Sequence, residues 1–190
     1  MAGTASSVTT GLHAALLLAR GRTEGLRLVA TDAHATTRSF LAMILCVPML
    51  IAMRLVTLAP AAPGVSFEHA VLRDLLVFTV SWVGFVLLTH QIAGRLGLGQ
   101  RWPGFVAAWN WCNLLENLLV FLGSLPALLG IPSVFAAAAQ LFALGWALWI
   151  EWYVTRTALG VGAMVAVWMV LLDEIIGLFA NGLAQALGAS

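Results

Sequence analysis

The chain has 190 residues, 62% of them hydrophobic and 9% charged, with a formal net charge of +1 and a mean hydropathy of +0.99. A soluble domain carries about a quarter charged residues because its surface must face water. A water-soluble globule is therefore excluded, and the composition implies an all-α polytopic membrane bundle. All nine basic residues are arginines and form no basic run, which argues against a nucleic-acid partner. The Ala-, Gly-, Leu- and Arg-rich composition without lysine suggests a GC-rich bacterial genome and hence the bacterial inner membrane.

Residues 1–39 form the first segment. "AALLLA" has no arginine before it and several after it, the wrong order for a cleavable signal. "GLHAALLLARGRTEGLRLVATDA" reads as short amphipathic helices on the cytoplasmic leaflet, with packing on the bundle or partial disorder as the competing readings. Residues 40–190 form the transmembrane domain. Five stretches reach the roughly 20 apolar residues that a bilayer requires: Phe40–Ala59, Leu75–Arg95, Pro103–Leu122, Ser133–Tyr153 and Leu159–Ala180. The breaks "APAAPG" at Ala59–Gly64, "GLGQRWPG" at Gly97–Gly104 and "GIPS" at Gly130–Ser133 stop helices through Pro and Gly. "RTALGVG" is a kink or a short turn. Pro48 and Pro126 add kinks, the second a candidate end of the third span.

Arg20, Arg22, Arg27, Arg38, Arg95, Arg101 and Arg156 fall on one side of these spans, and Arg73, next to Asp74, on the other. The positive-inside rule then gives a cytoplasmic N-terminus and an external C-terminus.

Inside the spans, each charge needs an explanation, because burying one costs at least ~2.5–3.5 kcal/mol on insertion scales. Glu116 lies ~20 Å from Pro103, Arg54 ~24 Å from Arg38 and Asp173 ~21 Å from Leu159 at helical rise, with Glu174 beside Asp173. The expected arrangement pairs Arg54 with Glu116 or with one of Asp173 and Glu174. A carboxyl left over is expected to carry its proton. Asn110, Asn113 and Asn117 recur at helical spacing with Glu116, forming one stripe that should face other helices, since lipid offers amides no partner. The stripe reads first as a lock between helices and second as the lining of a polar path.

Glu151 and Asp74 read as interfacial charges, and His90 as a hydrogen-bonding interface residue. His13, His34 and His69 lie outside the spans, so no haem ligand pair forms. Cys46 and Cys112 read as small buried hydrophobes, with no metal spacing. Trp102, Trp149 and Trp152 suit the inner interface and Trp82 the outer half, while Trp109, Trp111, Trp146 and Trp168 lie deeper. Gly84, Gly123, Gly145 and Gly162 permit close helix approach. No nucleophile–base pair, phosphate loop or catalytic constellation is present, so no cofactor and no enzymatic activity are expected.

The block "LLTHQIAGRLGLGQRWPGFVAAWNW", Leu87 to Trp111, with His90, Ala93, Gly97 and Gly99, resembles the bacterial branch of the Yip-domain family. "LGIPS" and "LFALGWALWIEWYVTRTALGV" extend the resemblance over roughly Asp74 to Val161. It implies five spans, a cytoplasmic N-terminal segment and a scaffold or transport-accessory role without catalytic residues. The Asp-Leu-x-Gly-Pro element of the eukaryotic members is absent, so their role in Rab-linked traffic does not carry over.

Two functions are expected in order: a scaffold or accessory subunit of a membrane complex, with a protein partner or a second copy of the chain, and then a small transporter or proton-coupled channel using Arg54, Glu116, Asp173 and Glu174. A lipid-modifying enzyme has the least support.

Overall fold

The computed structural model describes residues 2–29, 33–57 and 66–188, and among them every regular element is a helix. Three short N-terminal elements, α1 (Ala2–Leu18), α2 (Gly25–Leu28) and α3 (Ala33–Ser39), precede α4 (Leu41–Thr57), α5 (Phe67–Arg95), α6 (Trp102–Leu128), α7 (Ser133–Leu159) and α8 (Ala163–Gly188). Five helices are long and apolar enough to cross a membrane: His34–Leu55, which joins α3 to α4, and the bodies of α5, α6, α7 and α8.

The helix ends follow local chemistry. Ser66 caps α5 by accepting the His69 backbone N–H at 3.4 Å, as short hydroxyl side chains do. Pro103 starts α6 at a position where the missing N–H has no partner to lose. The uncertain break in "RTALGVG" is a true turn. Gly160 takes φ 70°, a conformation costly for residues with a Cβ. Arg101 Nη1 donates to Leu159 O at 3.1 Å, and its guanidinium occupies the space a Cβ at Gly160 would need. Pro126 does not end the third span; it sits in the last turn of α6, which continues to Leu128. The break at Ala59–Gly64 lies outside the described residues.

α6 is the axis of the molecule. Every residue from Phe105 to Cys112 is buried, the pattern of a helix apolar all round. α7 runs back along it, with Ala136, Ala143 and Ala147 buried. A Cβ on Gly123 would stand 2.6 Å from Ala143 Cβ. Small residues allow such approach in a membrane, where packing rather than the hydrophobic effect holds helices together. Of the other glycines expected at helix contacts, Gly84 has only ordinary contact with Ile176, and Gly145 and Gly162 face open space. α3 and α4 cover other sides of α6, while α8 packs on α5 and α7.

In its described part the N-terminal segment packs on the bundle. α1 packs on α6, and Ala14, Ala15 and Leu18 are fully buried. Gly11 lies flat on the Trp111 indole. Trp146 Nε1 donates to Ala19 O at 3.2 Å, and Tyr153 Oη donates to Gly21 O at 2.6 Å. Small residues along α1 let it approach α6 closely, and two aromatic donors on α7 satisfy the carbonyls where α1 ends.

Candidate functional site

The asparagines of α6 divide into two groups. Asn110, fully buried, accepts from Trp82 Nε1 at 2.8 Å and donates to Ser39 Oγ at 2.7 Å. Ser39 Oγ donates to Thr36 O at 2.6 Å, and Thr36 Oγ1 donates to Pro103 O at 3.1 Å. This relay ties α5, α6 and α3 together and gives both polar atoms of the Asn110 side chain a partner. Ser39's bond to the carbonyl three residues back also coincides with the break between α3 and α4, as expected of a hydroxyl competing for backbone groups. Asn113 and Asn117 instead pair with each other, with Asn117 Nδ2 2.9 Å from both Asn113 O and Asn113 Oδ1, and they face a cleft.

The cleft runs along α8, against α6 and α7 at its inner end and against α4 and α5 at its outer end. Its innermost chamber, about 180 Å³, is lined by Asn113, Glu116, Asn117, Glu151, Asp173 and Glu174. A middle chamber of about 370 Å³ shares Asn113, Asn117, Asp173 and Glu174 with it and adds Phe78, Ser81, Trp82 and Trp109. The third, about 530 Å³, shares Phe78, Ser81 and Asn181 with the second and reaches Arg54, Arg73 and Asp74. Sharing wall residues, the three clefts follow one another as a route from the carboxyl groups to the end of the bundle where α5 begins. Glu174, Asn181 and Gln185 are exposed, so the route is open along α8.

Four carboxyl groups from three helices meet at its inner end. Glu116 is 8% exposed and Glu151 4%. Oε1 of each is buried without a hydrogen-bond partner. Glu151 and Asp173 line the same small chamber from α7 and α8. From the arginine-bearing end of the bundle, Glu151 lies ~12 Å from Leu159, Asp173 ~15 Å from Ala163 and Glu116 ~21 Å from Trp102. The group thus lies near the middle of a ~30 Å hydrocarbon layer.

The expected partnership of Arg54 with these acids does not form. Arg54 Nε binds Asp74 Oδ2 at 3.1 Å, and Asp74 Oδ1 also accepts from Arg73 at 3.3 Å. Arg54 sits in the last turn of α4 and faces α5, whereas the acids lie on α6, α7 and α8. Matching depth along three helices did not fix their rotation. Asp74 is accordingly a bridge between two arginines rather than a simple interfacial charge.

Glu151 is the main residue that sequence reasoning misplaced, taking it as interfacial. Leu144, Ala147, Leu148 and Glu151 recur at spacings of three, one and three along one face of α7, and all line the inner chamber. That spacing carried the signal. On α8, Asp173, Gly177, Asn181 and Gln185 form a stripe with a period of four, and each lines part of the route. Reading only the charged residues there overlooked the amides.

Other expectations resolve simply. Cys46 and Cys112 are buried free thiols. His90 makes an edge contact with the Trp102 ring, with centroids 4.6 Å apart, instead of a hydrogen-bonded interface. Trp82 is buried in the core with Trp109 and Trp111. Among the described residues no group of three or more His, Cys, Asp or Glu side chains could hold a metal ion. Compared with protein-family models, curated proteins and solved structures, the chain matches none.

Proposed function

We propose that this membrane protein is a small proton-coupled carrier whose working groups are Glu116, Glu151 and Asp173. The observation that carries the reading is the buried acid cluster, which has no basic side chain in the lining of its chamber and leaves Glu116 Oε1 and Glu151 Oε1 unpartnered. A structural lock satisfies its polar atoms, as the Asn110 relay does. An acid cluster that does not is costly in an apolar layer and serves to take up and release protons or other cations. The route past Asn113, Asn117 and Asn181 gives such an ion polar walls. Arg54 belongs to the far mouth, where its pairing with Asp74 spans α4 and α5.

Arginine placement supports a membrane orientation with the Arg95, Arg101 and Arg156 end in the cytoplasm. With that orientation the route opens outward, and the bacterial inner membrane is the proposed location.

Reconstitution into liposomes enclosing a pH-sensitive dye tests the function. Wild type should dissipate an imposed pH gradient, and Glu116→Gln and Glu151→Gln should each slow it at least ten-fold. Wild-type vesicles as tight as protein-free ones would overturn the carrier. A stoichiometric protein co-eluting with the silent protein would then support the accessory-subunit role.

A further inference from the structure

We infer that the middle chamber of the cleft binds a small organic cation, an ammonium group with a nearby oxygen, of about the size of choline. The inference deepens the carrier reading and rests on the cleft being a cation route.

The chamber has two chemically different walls. Asp173 and Glu174 supply negative charge, and the half-buried Phe78 supplies aromatic surface, backed by Trp82 and Trp109, which are 4% and 1% exposed. Aromatic faces attract cations, most strongly alkylammonium groups that have lost water. An inorganic divalent ion would instead require six or more oxygen ligands for calcium or a strict octahedron for magnesium, which an aromatic wall cannot provide. The volume of about 370 Å³ falls within the roughly 300–1,000 Å³ of small-molecule clefts.

The aromatic wall is fixed before any ligand arrives. Phe78 and Trp82 meet edge to face with centroids 5.2 Å apart, and Trp82 and Trp109 do the same at 5.2 Å. Asn110 holds the Trp82 indole through its N–H. Ordering these rings is therefore not charged against binding.

A second observation points to the ligand's oxygen. Trp109 is 1% exposed, lines the chamber, and has no partner for Nε1; Ser81 Oγ, in the same lining, has none either. The indole N–H only donates, so it calls for an acceptor. The acids would hold the ammonium, and Trp109 and Ser81 the oxygen.

Equilibrium dialysis of the full-length protein in detergent tests this with three probes: choline, tetramethylammonium, and 3,3-dimethyl-1-butanol, the neutral carbon counterpart of choline. Choline should bind saturably and the neutral alcohol at least thirty-fold more weakly. Glu174→Gln, at an exposed position where folding is not at stake, should weaken choline at least ten-fold. Trp109→Phe, which keeps an aromatic ring but removes the N–H donor, should weaken choline several-fold more than it weakens tetramethylammonium. Equal binding of choline and the neutral alcohol, or no binding to protein that elutes and melts as wild type, overturns the site even if the vesicles carry protons. Saturable choline binding with proton-tight vesicles supports the site and removes the carrier reading alone.

Discussion

Asn110 and Glu116 stand six residues apart on α6, are both buried, and are treated in opposite ways. Around Asn110 donors and acceptors alternate through Trp82, Ser39 and Thr36 to a backbone carbonyl. Around Glu116 there are acids and amides, a chamber, and an oxygen with no partner. The first arrangement recovers the cost of burying polar atoms and fixes three helices. The second leaves that cost standing, and strain of this kind is typical of working sites, where stability is given up for function. A polar residue in a membrane helix is thus read by its surroundings more than by its type.

Substitution can break this contrast. The largest loss of stability is expected for Asn110→Leu, which leaves the buried Trp82 N–H and one Ser39 bond unmet. At about 1–3 kcal/mol for each unsatisfied group, tempered by the ~0.6 kcal/mol average measured for membrane hydrogen bonds, the net loss should be about 2 kcal/mol. Unfolding in mixed detergent measures it; a change below ~0.5 kcal/mol would make the relay incidental.

Gly11→Leu comes next. The new side chain must displace the Trp111 indole or lift α1 from α6, at a cost of ~1–2 kcal/mol by the usual scale of overpacking. Faster proteolysis between α1 and α3 should accompany the lower melting temperature.

Glu116→Leu sharpens the comparison, because the sign should reverse. Replacing an unsatisfied buried acid with a packed aliphatic chain should stabilise by ~1 kcal/mol while abolishing proton flux. A destabilised variant would show that Glu116 is held by bonds of structural importance.

The smallest effect belongs to Asp74→Asn. Arg54 and Asp74 are 20% and 28% exposed, so the pair should contribute less than ~1 kcal/mol and weaken in salt. Its removal should alter flux at the far mouth more than stability.

The legibility of these features differed for identifiable reasons. Long apolar runs, Pro103 and the Gly-containing breaks marked the spans, because chain-terminating chemistry is local. The third span ran past its expected end at Leu122: Pro126 gives up its own bond to the Leu122 carbonyl, yet α6 continues to Leu128. Asn113, Glu116, Asn117, Asp173 and Glu174 were singled out because polarity in an apolar run is visible in one dimension. Arg54 was assigned to the wrong acids, and Glu151 to the wrong environment, because both errors concern helix rotation.

By itself, the sequence determined that this is a membrane bundle of five long helices, the breaks at Gly97–Gly104 and Gly130–Ser133 that separate three of them, and most of the residues that are polar inside them. Hydropathy and helix-breaking residues act within a few positions of the chain, so no folding need be known to read them. Only the tertiary structure decided that α1 lies against α6, that Arg54 turns to Asp74, and that Glu151 completes the acid cluster. Each of these depends on the direction a helix face takes when it packs, and that is set by neighbours distant in sequence, such as Trp111 for Gly11 and Asp173 for Glu151.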